Sequence, residues 1–174
     1  MKMFALSLAA VALLASCTQK RTPELLTPAD FEKEVDGKKV SLYTLKAGQV
    51  TMQVTNFGAR VVTLWTPDRN GDSEDIVLGY NNIDTYINNP GERFLGAVVG
   101  PYANRIANGT YTIGDQVYEF PRNNNGQTLH GGLLGLDMVV WDVDEVKDNS
   151  IVLSYLRPDG QDGMPGNLKI VMTY

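Results

Sequence analysis

The chain has 174 residues, of which 20 are acidic and 15 are basic, for a formal net charge of −5. An acidic chain lacks the clustered cations that bind phosphate, which excludes nucleic acid as a partner. One histidine and one cysteine cannot make an intrachain disulfide or a transition-metal site. No glycine-rich phosphate loop occurs, so the sequence implies no cofactor.

The N-terminal residues have the pattern of an export signal. Lys2 precedes an apolar run at 4–14, which is too short to span a bilayer as a mature helix. Small residues then lead to Cys17, as in bacterial lipoprotein signals, although an ordinary secretory signal is the alternative. We expect removal of residues 1–16, lipid on Cys17 and a tether over 17–26. The protein would then be held at the cell envelope, on the periplasmic side or at the cell surface.

Short strands dominate the remaining sequence, which we interpret as one domain at 27–174. Val50, Met52 and Val54 alternate with polar residues, the period of a half-buried strand. Turn signals recur at a spacing of roughly ten residues, which predicts an all-β, antiparallel sandwich. The predicted strands are 40–45, 50–55, 60–65, 76–78, 94–99, 110–113, 116–120, 139–146, 150–156 and 168–174.

The connections carry further predictions. Gly114-Asp115 between two strands suits a hairpin turn of type II′. Polar loops are predicted at 81–91 and at 121–127, the second with three consecutive asparagines. One helical turn within 27–34 would be capped by Thr27. The last strand has no turn or polar tail after it, so its edge groups would lack partners, and we expect the sandwich to be incomplete in this chain.

Two motifs carry the candidate chemistry. Gly100-Pro-Tyr-Ala-Asn-Arg-Ile106 supplies Asn104 and Arg105, and Gln127-Thr-Leu-His-Gly-Gly132 supplies His130. Imidazole can donate or accept a proton near neutral pH. A guanidinium offers fixed, always charged donors, and an amide both donates and accepts. Such a set can hold and polarise a hydroxylated ligand, although a salt bridge at Arg105 or a turn cap at Asn104 is the alternative.

Both motifs resemble those of the aldose 1-epimerases, the galactose mutarotase family. Four further segments resemble the family in the same order: 31–40, 55–60, 75–80, and Gly135-Leu-Asp137 with Trp141. The resemblance implies a large β-sandwich of about twice this length. It further implies that this chain is the N-terminal part, because the family's second histidine, sugar-binding aspartate and glutamate base follow later.

The resemblance also implies roles for the motif residues. His130 corresponds to the family's first active-site histidine, which contacts the ring oxygen, and Arg105 with Asn104 corresponds to the sugar-binding Asn-Arg pair. Pro101 stands where many members carry an arginine, so one donor is absent. We expect weaker roles elsewhere. Asp137 could orient a side chain, although a surface turn residue is the favoured role, and Glu92-Arg93 would be an internal pair.

The implied function is mutarotation, the interconversion of α and β anomers of free hexoses such as galactose or glucose. This chain alone would lack the catalytic base. One alternative is a non-catalytic, carbohydrate-binding module on the cell surface. Another is an epimerase of phosphorylated hexoses, which the acidic, exported sequence disfavours. In each case the partner is a small sugar, and the membrane is reached only through the lipid.

Overall fold

The computed structural model describes residues 20–88 and 91–174. The strands of this part are β1 (Lys33–Val35), β2 (Lys38–Val40), β3 (Leu42–Ala47), β4 (Val50–Thr55), β5 (Arg60–Pro67), β6 (Ser73–Asp75), β7 (Arg105–Ile106), β8 (Thr110–Ile113), β9 (Gln116–Glu119), β10 (Thr128–Leu129), β11 (Asp142–Lys147), β12 (Ser150–Arg157) and β13 (Leu168–Thr173). The helical elements are α1 (Ile83–Asn88) and 3-10 turns at Pro28–Phe31, Ala107–Gly109, Leu136–Met138 and Gln161–Gly163. All the strand pairs are antiparallel, which confirms the predicted all-β class.

The larger sheet has the order β3-β4-β5-β6. Strand β4 buries Val54 as its alternating pattern predicts, but Gln53 and Thr55 on the opposite face are buried as well. The Gln53 side chain explains this burial. Its oxygen accepts the Leu26 N–H at 2.9 Å, and its nitrogen donates to the Leu26 carbonyl at 3.0 Å. The segment before β1 therefore covers the face that the sequence assigns to solvent.

The second sheet has the order β11-β12-β13. Ile151 and Leu153 of β12 are fully buried together with Trp141, which precedes β11. They pack against Leu45 and Val54 of the larger sheet. Burial of apolar side chains between two sheets is the main favourable term in the folding of a sandwich. One core cluster of the described residues therefore lies between these two sheets.

Both predicted hairpins form. Strands β8 and β9 meet at Gly114, whose φ of +59° fits the first central position of a type II′ turn. The other hairpin joins β11 to β12, but β11 begins three residues later than predicted. Val139 and Val140 pair instead with the turn between β4 and β5, because the Gly58 N–H donates to the Val139 carbonyl and Phe57 bridges Val140.

Four local predictions are wrong. The polar loop at 81–91 contains α1, because Ile83 and Tyr86 are buried in a core cluster and so stabilise one helical turn. Residues 94–99 form no strand and are only half-buried, and residues 76–78 expose Ile76 and Leu78. Thr27 precedes a 3-10 turn but makes no side-chain cap hydrogen bond.

The predicted signal segment and Cys17 lie outside the described residues. Within the predicted tether, the backbone of Arg21 is already fixed. Its N–H donates to the Asp72 carboxylate at 2.9 Å, and its carbonyl accepts the Ser73 N–H at 3.1 Å. Across the described ranges, no helix has the length and apolar character needed to cross a membrane.

Candidate functional site

Two short strands bring the predicted site residues together. In the β7–β10 pair, Arg105 is opposite Leu129 and Ile106 is opposite Thr128. The residues at the adjacent strand ends are Asn104 and His130, which therefore face each other although they lie 26 positions apart. Imidazole, guanidinium and amide thus share one end of a ladder, as the motif spacing predicts.

A pair of hydrogen bonds fixes His130 against Asn104. The Asn104 N–H donates to His130 Nδ1 at 2.9 Å, and the His130 N–H donates to the Asn104 carbonyl at 3.0 Å. A backbone N–H can only donate, so Nδ1 is the unprotonated acceptor and the proton of the neutral ring is on Nε2. The imidazole therefore presents a hydrogen-bond donor at Nε2.

Arg105 is held by amides. Its Nε donates to the Asn124 side-chain oxygen at 3.0 Å, and its Nη1 donates to the Asn104 side-chain oxygen at 3.1 Å. Within residues 20–88 and 91–174 it makes no salt bridge. The exposed guanidinium therefore keeps its positive charge and its remaining donors for a ligand.

The imidazole of His130 also packs against an aromatic ring, that of Phe94. Phe94 meets His130 edge to face, with the ring centroids 4.6 Å apart. The Arg93 guanidinium lies over the Phe94 ring, 5.0 Å from its centroid. Arg93 also makes a two-point ion pair with Asp137, with Nε at 2.6 Å and Nη2 at 3.0 Å from the carboxylate oxygens. An ion pair thus supports the ring that supports His130.

Asp137 and Arg60 are fully buried beneath this contact. Arg60 donates to the carbonyls of Arg93, Leu95 and Asp137, each at 2.9 Å. Burial lowers the pKa of Arg60 below its ordinary value, and the Asp137 carboxylate acts in the opposite direction. The expected surface role of Asp137 and the Glu92-Arg93 pair are therefore both wrong, because Arg93 pairs with Asp137 in the interior.

The glycines after His130 are needed for a close approach of the backbone. A Cβ at Gly131 would lie 1.8 Å from the Gly100 carbonyl oxygen, and one at Gly132 would lie within 3.1 Å of the Asp162 side chain. Both glycines also have positive φ, which other residues adopt at a cost in energy. Gly131 therefore lets the His130 motif pack directly against the Gly100 motif, and Gly132 lets it pack against Asp162.

A groove of about 640 Å³ adjoins Arg105. Its walls include Tyr102, Tyr111, Ile113 and Leu168, and neither His130 nor Asn104 is among them. The volume suits a small ligand. However, hydroxyl groups need fixed donors and acceptors, so the hydrogen-bonded set at the end of β7 and β10 defines the candidate site, and the groove is its neighbour.

Comparison with known proteins identifies the family. The family model for aldose 1-epimerase matches residues 41–174. The chain belongs to the aldose 1-epimerase family. Galactose mutarotase from Mus musculus is 37% identical over 138 residues, which are 79% of this chain and 40% of that protein. The enzyme of the same name from Sus scrofa is 38% identical over 135 residues, 78% of this chain and 39% of that protein.

Solved structures of the family have the same fold. An aldose epimerase homologue from C. elegans aligns with a TM-score of 0.73 and 34% identity, over 78% of this chain and 41% of that chain. Galactose 1-epimerase from Lactobacillus acidophilus NCFM aligns with a TM-score of 0.69 and 30% identity, over 82% and 42%. The chain therefore spans about 40% of the length of these relatives.

Some residues around the site have contacts that the sequence did not indicate. The Asp162 carboxylate accepts the N–H groups of Leu133 and Leu134 at 3.0 and 2.8 Å. Asn123 and Asn124, from the run of three asparagines, contact the His130 turn and Arg105. Asparagine side chains tend to hydrogen-bond to nearby backbone, so the run of asparagines indicates a turn. The sequence alone does not identify the groups to which Asn123 and Asn124 bond. The sugar-contacting roles of His130, Arg105 and Asn104 stay predictions.

Proposed function

We propose that this protein serves the interconversion of α and β anomers of free hexoses such as galactose or glucose, by acid–base ring opening. The observation that carries the proposal is the 2.9 Å hydrogen bond from the Asn104 N–H to His130 Nδ1. It leaves Nε2–H as a donor, and the Arg105 guanidinium adds a cation at the same end of the β7–β10 ladder. Such donors suit an oxygen that gains negative charge during a reaction.

Ring opening requires two proton transfers. A base takes the proton of the anomeric hydroxyl, the bond from the anomeric carbon to the ring oxygen breaks, and the ring oxygen takes up a proton. Rotation and closure on the other face of the aldehyde then give the other anomer. His130 Nε2–H supports the ring oxygen by hydrogen bonding, while Arg105 and Asn104 bind hydroxyl groups and hold the ring.

Within 20–88 and 91–174, no carboxylate is hydrogen-bonded to the side chains of His130, Asn104 or Arg105. These side chains bond to one another's residues and to the Asn124 amide. A carboxylate base is expected from the part of the family's length that this chain does not span. A missing general base removes roughly 10²–10⁴-fold in rate, so the 174-residue chain alone is expected to be inactive.

The absence of a carboxylate partner for these side chains favours a second candidate, a non-catalytic carbohydrate-binding module at the cell surface. Donors and amides without a carboxylate can bind hydroxyl groups but cannot remove the anomeric proton. The two candidates differ in one respect only. A polypeptide that continues to the length of the relatives would catalyse anomer exchange in the first case and would only bind sugar in the second.

Polarimetry on freshly dissolved α-galactose and α-glucose distinguishes the two candidates. The 174-residue chain is expected to leave the spontaneous rate unchanged, whereas a polypeptide of the relatives' length is expected to accelerate it. In the longer protein, His130→Ala is expected to lower turnover by about 10²-fold or more, the usual contribution of a positioned proton donor. Unchanged turnover in His130→Ala would remove this residue from the mechanism.

We further propose that the protein is attached to the cell envelope through lipid on Cys17. The order of Lys2, the apolar run and Cys17 supports this location. Metabolic labelling with palmitate is expected to mark the wild type but not Cys17→Ser. Labelling of both, or of neither, would contradict the anchor and leave the sugar site unaffected.

A further inference from the structure

Asn123 binds the backbone on both sides of His130. Its side-chain oxygen accepts the Leu129 N–H at 2.7 Å, and its side-chain nitrogen donates to the carbonyls of Leu129 and Gly132 at 3.0 and 2.9 Å. A side-chain amide has two N–H groups and one carbonyl oxygen. All of them are used here, on the residue before His130 and on the second residue after it.

The turn at His130 needs such support. His130 has a φ of +52° and Gly131 a φ of +93°, and the Gly132 N–H closes the turn on the Leu129 carbonyl at 3.2 Å. A left-handed conformation is unfavourable for a residue with a Cβ and persists only where the surroundings impose it. Asn123 is the side chain that joins the two ends of this turn.

The next residue in the chain reaches the guanidinium. The Asn124 side-chain oxygen accepts Arg105 Nε–H at 3.0 Å. The Asn124 backbone exchanges two hydrogen bonds with Gln127, at 3.0 and 2.8 Å, around Asn125 and Gly126 with φ of +46° and +79°. Two central residues with positive φ make a tight type I′ turn. The loop that carries Asn123 and Asn124 is therefore closed on itself.

We propose that Asn123 and Asn124 are positioning residues that hold the imidazole of His130 and the guanidinium of Arg105 as one unit. Adjacent side chains of one closed turn fix both groups, so the separation between the two candidate sugar-binding groups is set by this turn. The inference rests on the proposed function for its purpose. Its geometric content, the orientation of the imidazole, can be measured without any sugar.

His130 is the only histidine of the chain, so the imidazole nitrogen resonances of the ¹⁵N-labelled protein belong to one residue. In the wild type with a neutral ring, we expect Nδ1 at the downfield position of an unprotonated nitrogen and Nε2 at the position of a protonated one. Asn123→Ala frees the turn, so Nδ1 loses its fixed donor. Its resonance is expected to move upfield, towards the average of the two tautomers.

Two further variants complete this test. Asn123→Asp keeps the shape and the acceptor for Leu129 N–H but cannot donate to the two carbonyls, and the same upfield shift is expected. Asn125→Gly, at a position that is already left-handed, is the matched control and is expected to keep the wild-type signals. For the guanidinium, Asn124→Ala is expected to speed the solvent exchange of Arg105 Nε–H about five-fold, the effect of one lost hydrogen bond.

A wild-type Nδ1 resonance in both Asn123 variants would overturn the positioning of the imidazole. Loss of the folded amide spectrum in both would also overturn it, because Asn123 would then serve the stability of the fold. An unchanged Arg105 exchange rate in Asn124→Ala would overturn the link to the guanidinium. If the shifts follow the expectation while a polypeptide of the relatives' length leaves the mutarotation rate of galactose and glucose at the spontaneous value, the proposed function fails and the positioning role stands.

Discussion

The core between the two sheets and the site at the ends of β7 and β10 are built differently. Around Trp141, Ile151 and Leu153, apolar side chains are fully buried, and the strands they belong to or flank contain no residue with positive φ. At the site, by contrast, Asn104 and His130 both have positive φ and are held by hydrogen bonds between side chains and backbone. Burial stabilises the first region, and directed polar contacts shape the second.

Because the two regions are built differently, substitutions in them should affect different properties: the free energy of unfolding in the core, and the arrangement of the side chains at the site. A change in the core should act on the free energy of unfolding and leave the site's chemistry intact in the molecules that remain folded. A change in the polar contacts of the site should do the opposite, because exposed hydrogen bonds contribute little net stability. The buried cluster of Arg60, Arg93 and Asp137 belongs to both regions, since it is interior and also supports Phe94 behind His130.

The largest effect is expected for Trp141→Ala. Trp141 is fully buried, packs on Tyr155 and donates its Nε1–H to the Leu136 carbonyl at 3.0 Å. Removal of a buried aromatic side chain lowers the free energy of unfolding by about 3–5 kcal/mol, measurable by urea denaturation. Tyr102→Ala, at a side chain that is 55% exposed, is the control. Equal losses in the two variants would contradict the assigned core.

A loss of about 3 kcal/mol is expected for Asp137→Asn, because a buried ion pair is broken and the cation of Arg60 remains in the interior. The control is Asp142→Asn, whose carboxylate pairs with Lys38 at the surface, with side-chain exposures of 58% and 44%. An exposed pair contributes less than about 1 kcal/mol. A chemical denaturation series on both variants decides the matter, and a small effect at Asp137 would show that the cluster is not essential.

Tyr86→Phe is expected to cost about 1 kcal/mol at neutral pH, since the hydroxyl accepts the Tyr80 N–H. Burial raises the pKa of Tyr86 above its ordinary value of 10.0. A raised pKa contributes stability that is fully present below pH 10.0 and is lost as the pH rises through the folded value. Stability measured against pH should therefore fall less steeply above this point in Tyr86→Phe than in wild type. Parallel curves would refute the burial effect.

The smallest effect on stability, within about 0.5 kcal/mol, is expected for substitutions of His130 itself. His130→Gln can place an amide N–H where Nε2–H lies, whereas His130→Asn can only replace the acceptor at Nδ1. In a polypeptide of the relatives' length, the glutamine variant should keep more sugar affinity and turnover than the asparagine variant. Calorimetry and polarimetry measure the two quantities, and the reverse order would assign the important role to Nδ1.

The sequence predicted the parts of the molecule that depend on local patterns. The Gly114 turn, the β11–β12 hairpin and the antiparallel class follow from strand period and turn chemistry. The motifs around Asn104 and His130 predicted that imidazole, guanidinium and amide lie at strand ends broken by glycine, and they share one end of the β7–β10 ladder. The turn and the hairpin need only neighbouring residues to form.

The remaining features depend on contacts between distant segments. Asp137 is buried because Arg93 and Arg60, 44 and 77 residues away, converge on it. Helix α1 forms in a polar segment because Ile83 and Tyr86 reach a core made by other strands. No local pattern encodes such distances, so these features become visible only in the folded chain.

The most direct test is a crystal structure with saturating galactose. The account predicts a sugar oxygen at about 3 Å from His130 Nε2, with further hydroxyl groups bound by Arg105 and Asn104, while Nδ1 still accepts the Asn104 N–H. A sugar bound away from these residues, or a His130 that turns Nδ1 towards it, would contradict the account.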